Sequence, residues 1–207
     1  MEHKTTEEEW RALLTGEHRG MLALRRRFGR LPSPPRCKLC YAPFHGVGGA
    51  LLKPWFVPWE RNPQLCKNCM KFLAKRGVGG AEVEISMLFV DIRGSTGLGE
   101  RLGPAAFAAV LSAFYRLAAN AIVETDGVVD KFVGDEAIGL YIPSYTGGDH
   151  APKAIEGGRW LLEAAARSDA SASGPIPCGG GVHTGTAFVG RSARAKRSRT
   201  SRHSATR

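Results

Sequence analysis

MLFVDIRGSTGLGERLGP (87–104) and, after a helical segment, VVDKFVGDEAIGLY (128–141) are the stretches whose reading decides the fold. The run Ile85–Val90 is short and apolar, as a central strand should be. It ends at Asp91, and Ile92, Arg93, Gly94, Ser95 and Thr96 follow, where small residues free the backbone amides to face a ligand such as a phosphate. The second stretch alternates about Gly134 and Asp135, which reads as two strands joined by a tight turn with Asp135 at the tip. A carboxylate at a strand end and another at a hairpin tip can share hard divalent ions, which take oxygen ligands and bridge to substrate phosphates.

Outward from these stretches the periodicity changes to that of helices. Gly103 and Pro104 open a helix in which Phe107, Val110, Leu111, Phe114, Ala118 and Ile122 recur at three and four, and Asp126-Gly127 closes it. A second helix spans about 149–167, with Gly157 and Gly158 in its middle. Cys178 to Gly190 reads as a last strand, with Cys178 a small hydrophobe and His183 a strand residue with a structural hydrogen bond. The order strand, helix, hairpin, helix, strand predicts an α/β sandwich with one helical layer.

The motifs FVDIRGST (89–96), KFVGD (131–135) and GVHTG (181–185) through Gly190 resemble the class III nucleotidyl cyclases, which make cyclic AMP or cyclic GMP from the triphosphate. The match covers residues 84–190. It implies a ferredoxin-like α+β cyclase fold, here incomplete. It also implies two Mg²⁺ or Mn²⁺ ions on Asp91, Asp135 and the Ile92 carbonyl, with Gly94, Ser95 and Thr96 at the substrate. Lys131 falls where the family's lysine reads adenine, which favours ATP over GTP. The family pairs two catalytic domains head to tail, so a homodimer is the implied partner. The competing reading, that Asp91 and Asp135 are only strand-end and turn residues, does not account for Lys131 standing in register with both.

Composition bounds the rest. The chain has 207 residues and 43% hydrophobic content, enough for one full domain and a small one. No membrane-length apolar run and no secretory leader is read, so the expectation is a cytoplasmic protein without membrane insertion. The net charge of +10 is concentrated at the end: residues 191–207 hold seven of the 29 Lys and Arg and no acidic residue, leaving 22 basic against 19 acidic side chains before them. That distribution argues against a nucleic-acid partner for the folded part. No Ser-His-Asp order, P-loop or dinucleotide fingerprint is present.

Ahead of the cyclase-like stretch, Thr6 and Glu9 fit a capping box, and Trp10, Leu13, Leu14, Leu22 and Leu24 share a helical face that Gly16 and Gly20 interrupt, with Arg25–Arg27 on the solvent side. The helical segment and a Pro-rich linker fill residues 1–36. Cys37, Cys40, Cys66 and Cys69 then form two C-x-x-C knuckles 25 residues apart, which predicts a metal-binding module over residues 37–80 that ends in a glycine hinge at 78–81. Structural Zn²⁺, an iron–sulfur cluster and unligated thiols all remain open for these cysteines.

The resemblance implies a partial cyclase domain over residues 81–190, and the composition of 191–207 predicts a basic, disordered tail. After Gly190 the family continues with a second purine-reading residue and an Asn and Arg that stabilise the transition state; RSARAKRSRTSRHSATR offers none of that segment. Back-translated with TCN serine and CGN arginine codons and read two bases later, it yields VGASEAVADFTALGDP, which is family-like. The tail is therefore expected to be an out-of-frame translation of a longer cyclase gene, and the chain as written to be inactive. The alternative is a metal-stabilised, non-catalytic module that pairs with an intact cyclase or binds nucleic acid through its tail.

Overall fold

The computed structural model describes residues 7–31, 35–52, 55–60, 62–168 and 174–191. The expected cap at Thr6, the centre of the Pro-rich linker and the tail beyond residue 191 lie outside the described residues. Helices α1 (Glu7–Thr15), α2 (Arg19–Gly29) and α3 (Gly46–Leu52) precede a small ribbon, β1 (Pro58–Trp59) and β2 (Asn62–Cys66), and helix α4 (Lys67–Lys75). Then come β3 (Gly79–Ile92), α5 (Ser95–Leu102), α6 (Pro104–Glu124), β4 (Val128–Val133), β5 (Glu136–Tyr141), α7 (Pro143–Thr146), α8 (His150–Ala166) and β6 (Cys178–Arg191). Four strands form one antiparallel sheet in the order β4-β5-β3-β6.

β3 is 14 residues long, well beyond the apolar run that announced it. Leu88, Val90 and Ile92 point into a core beneath α6 and α8, against Val110, Phe114 and Leu161. Val83 and Ile85 belong to a second cluster on the other face, with Ile142 and Leu14. The continuous apolar run marks only the part of the strand covered on both faces; before it, Glu82 and Glu84 alternate outward into solvent. Each fully buried large side chain here contributes about 1.5–3 kcal/mol.

α6 is long and apolar enough to cross a membrane by length and composition alone. Its buried residues, among them Val110, Phe114, Ala118 and Ile122, instead pack into the core of the sheet. The helix ends where Asp126 takes φ +67° and the Gly127 amide bonds the Ile122 carbonyl at 2.7 Å. A Cβ on Gly127 would lie 2.8 Å from that carbonyl oxygen, so the turn into β4 requires glycine.

Two expectations fail at the N-terminal side. The helical layer is not alone, because Leu14 of α1 joins the cluster on the second face of the sheet and Trp10 is buried beside it. Nor is 78–81 a hinge: Gly79 and Gly80 already pair with Arg191 and Gly190, and Gly79 lies against the Trp10 indole. Glycine serves close approach there rather than flexibility, since a Cβ on Gly80 would fall 2.4 Å from the Val189 carbonyl oxygen. The predicted break in the first helical segment does occur, at Gly16 with φ +84°.

The module has its own core of Leu13, Met21, Phe28, Leu39 and Leu65 around the four cysteines. Arg25, expected in solvent, is half-buried and donates to the carbonyls of Leu39 (2.9 Å), Lys38 (2.7 Å) and Ser144 (2.6 Å). Lys38 pairs with Asp126, which Lys153 of α8 also holds, and the Gln64 amide donates to the Val123 carbonyl. These polar ties fasten the module to the end of α6.

Candidate active site

Asp91 and Asp135 come to the same end of the sheet. Asp91 sits opposite Glu136 in the β3–β5 ladder, and the Ile92 amide donates to the Asp135 carbonyl at 3.1 Å. Asp135 occupies the two-residue turn between β4 and β5, after Gly134 at φ +60°, the glycine that a tight hairpin requires at its first central position. By backbone register Asp91, Asp135 and Glu136 therefore stand at the same end of the sheet, although Glu136 played no part in the sequence reading.

A cleft of about 210 Å³ opens beside Asp91, lined by Phe89, Arg93, Glu136 and Gly179 to Gly181. Arg93 is exposed, and its guanidinium lies so close to Gly179 that a Cβ there would fall 2.2 Å from Nε. The Arg93 amide donates to the Pro177 carbonyl at 2.7 Å, holding the loop against the start of β6. Gly94, at φ +64°, precedes α5, and Ser95 and Thr96 form its first turn. No atom stands within 4 Å of the position a Cβ on Gly94 would occupy, so the loop faces open space. The cleft places Arg93, an anion-attracting group, beside the cation-attracting carboxylates of Asp91 and Glu136.

Two residues that sequence reasoning missed support this end. The Tyr115 hydroxyl on α6 donates to the Gly134 carbonyl, and its ring packs on Phe132 at 4.5 Å, bracing the turn that carries Asp135. Helical periodicity gave no signal for this role, because Tyr115 points between the core stripe and solvent. Arg93 stood inside the quoted motif, but only the fold shows it reaching β6.

Lys131 does not join this cleft. It lies on the edge strand β4 with its side chain 60% exposed, 3.7 Å from Asp130. It lines a larger cleft, about 1310 Å³, between the hairpin and the module, together with Lys38, Gln64 and Asp126. Asp130 is the extra residue of a bulge, since the register passes from Val129 opposite Gly139 to Lys131 opposite Ile138. His183 is an exposed residue opposite Met87, and the hydrogen bond at this part of β6 is made by Thr184 to Ser86 at 2.6 Å. Cys178 is half-buried; burial, and after it the Asp91 charge, pushes its thiol up to about 11, which keeps it protonated and inert at neutral pH.

A second candidate centre lies in the module. Cys37, Cys40, Cys66 and Cys69 are all buried, with their sulfurs within 4.8 Å of one another, a cluster compatible with a metal site. Hydrogen bonding from its three neighbours depresses the Cys37 thiol, while contacts with Cys37 and Cys66 raise Cys40 and contacts with all three raise Cys69.

With sheet order, helical layer and carboxylate end in place, comparison with solved structures gives a consistent answer. The guanylyl cyclase Cya2 shares 29% identity over 57% of this chain and 62% of its own, with a TM-score of 0.50. The adenylyl cyclase CyaB from P. aeruginosa shares 25% over 56% and 63%, with a TM-score of 0.51. The fold is cyclase-like. A bacterial light-regulated adenylyl cyclase, 20% identical over 57% of this chain and 35% of its own at a TM-score of 0.50, adds likeness of fold alone. The chain spans about three fifths of the length of the first two cyclases it matches. No family model and no curated protein matches it.

Proposed function

We propose that this chain supplies the metal-binding half of a nucleotidyl cyclase site that converts ATP to cyclic AMP and pyrophosphate, working as a head-to-tail homodimer in cyclic-nucleotide signalling. The observation that carries the reading is the meeting of Asp91 and Asp135 at one strand end, joined by the bond from the Ile92 amide to the Asp135 carbonyl. Their carboxylates and the Ile92 carbonyl are the ligands. Two Mg²⁺ or Mn²⁺ ions bound there would lower the pKa of the ribose 3′ hydroxyl and carry charge on the leaving pyrophosphate.

The other groups bind and orient. The backbone at Gly94, Ser95 and Thr96 faces the triphosphate, and Arg93 offers positive charge beside it. The 3′ hydroxyl gives its proton to solvent as in-line attack forms the bond from O3′ to the α-phosphorus and breaks the bond to the bridging oxygen of pyrophosphate. Lys131, exposed on the edge strand, is free to read the adenine of a nucleotide held by a partner subunit. A lysine donor suits the N1 acceptor of adenine, whereas guanine carries a proton there. ATP as substrate fits a cytoplasmic location.

Residues 191–207 contain no asparagine, and an asparagine and an arginine are the groups the cyclase reading needs for transition-state charge. The 207-residue polypeptide alone should therefore turn over several powers of ten more slowly than one whose frame is restored after Gly190, given that losing one such donor costs about 10²–10³ in kcat. Cyclic AMP and cyclic GMP output from both polypeptides, each with Mg²⁺ and Mn²⁺, tests this. Robust turnover by the 207-residue chain would refute the frame reading. A frame-restored Asp91→Asn variant as active as its parent would refute the metal assignment.

A further inference from the structure

The cysteine module is tied to the hairpin through residues that sit inside its own knuckles. We propose that Cys37, Cys40, Cys66 and Cys69 hold a single tetrahedral divalent ion, Zn²⁺ by ligand type, and that this ion locks the module onto the root of the β4–β5 hairpin.

The sulfur geometry selects one ion. Metal–sulfur bonds of about 2.3 Å at tetrahedral angles place the ligands about 3.8 Å apart. Cys37 and Cys69 are 3.9 Å apart, Cys40 and Cys66 are 3.8 Å apart, and no pair of the four exceeds 4.8 Å. A disulfide needs about 2.05 Å, so the sulfurs are not bonded to one another. A polynuclear iron–sulfur cluster would insert the iron–iron separation between thiolates on different irons, and a box this small has room for one centre. Backbone amides already point at the sulfurs, from Cys66 to Cys37 and from Cys69 to Cys66, each at 3.3 Å, as thiolate ligands require of their surroundings.

The lock follows from where the neighbouring residues reach. Lys38 lies between ligands Cys37 and Cys40, and Gln64 lies two residues before ligand Cys66. The Lys38 amide bonds the Gln64 carbonyl at 2.9 Å, so the two knuckles form one unit. From that unit Lys38 holds Asp126, two residues before β4 begins, and Gln64 holds the Val123 carbonyl, at the end of α6. Removing the ion leaves four buried thiols in a module too small to hold itself closed, and both ties go together. Lys153 keeps its own grip on Asp126, so the segment loosens without unfolding. The inference does not depend on the cyclase reading, because the lock is visible in the backbone of residues 123–133.

The test uses the full chain. Elemental analysis and absorbance should find one Zn²⁺ per chain and no iron–sulfur bands. Stripping the ion with a mercurial and a chelator should speed amide hydrogen exchange across 123–133 by about tenfold or more, the scale of losing an ion pair and a hydrogen bond. Lys38→Ala with Gln64→Ala should keep the ion and still speed exchange there, separating the lock from the folding of the module. No bound ion, an iron–sulfur spectrum, or exchange at 123–133 unmoved by either treatment would overturn the proposal.

Discussion

The two candidate cation centres are built in opposite ways. The cysteine centre is buried, closed and soft, with four thiols inside the module core, whereas the carboxylate centre is hard, open and at the rim of the sheet, with Asp91 exposed and Asp135 half-buried. A closed thiolate site uses its ion for folding; an open carboxylate site leaves coordination positions for substrate. The first should therefore control stability and the second only nucleotide and metal binding.

The sharpest way to break that contrast is to damage each centre and compare stabilities. Cys37→Ser with Cys66→Ser should remove the module's cooperative melting and cost several kcal/mol, a part of the roughly 10–16 kcal/mol that structural zinc supplies to small modules. The core under α6 and α8 is a separate cluster, so circular dichroism should retain the sheet signal. If melting is unchanged, the cysteines are not a structural centre. By contrast Asp91→Asn should leave the melting temperature within experimental scatter while weakening Mn²⁺-dependent binding of a fluorescent triphosphate by about 10–100-fold. A loss of stability comparable to that of the cysteine variant would erase the distinction.

Smaller effects sharpen it. Tyr115→Phe removes the brace on the Gly134 carbonyl, worth about 0.5–1.5 kcal/mol, and should weaken nucleotide binding a few-fold without changing zinc content. The smallest effect concerns acid stability at the tie between the regions. Burial raises the Asp126 carboxyl, but hydrogen bonds and charge from Lys153 and Lys38 outweigh it, so the folded group titrates below its ordinary 3.8. Its contribution is present above that ordinary value and disappears as pH falls through the lower folded one. Urea unfolding should show Asp126→Asn less stable by about 1 kcal/mol near neutrality, a figure held down by solvent screening, with the difference shrinking in acid. A constant difference down to the acid limit would show that the aspartate acts through shape rather than charge.

Much of this was legible in the chain. The hairpin, the long helix and the strand ending at Asp91 follow from period-two and period-3.6 patterning and from Gly134 and Gly127, because those signals are local. The paired knuckles were legible for the same reason. Arg25 misled: three adjacent arginines on a helix read as a solvated face, yet Arg25 turns inward because the Lys38, Leu39 and Ser144 carbonyls need a donor. The glycines at 79 and 80 misled too, since composition does not distinguish a flexible glycine from one that permits close approach.

The residue pattern by itself determined the strand before Asp91, the hairpin about Gly134, the two long helices and the last strand, and which side chains can bind hard or soft ions. It carried no signal for α3 or the β1–β2 ribbon, where the stretch between the knuckles reads as irregular loops, nor for α5 or α7. Only the tertiary structure decided that Ile92 and Asp135 share a hydrogen bond, that Tyr115 braces the turn, that Arg93 lies on Gly179, and that the knuckles reach Val123 and Asp126. The physical reason is range. Periodicity and turn chemistry act over a few residues, whereas the last four contacts join positions 19 to 88 residues apart, whose meeting depends on how whole elements pack.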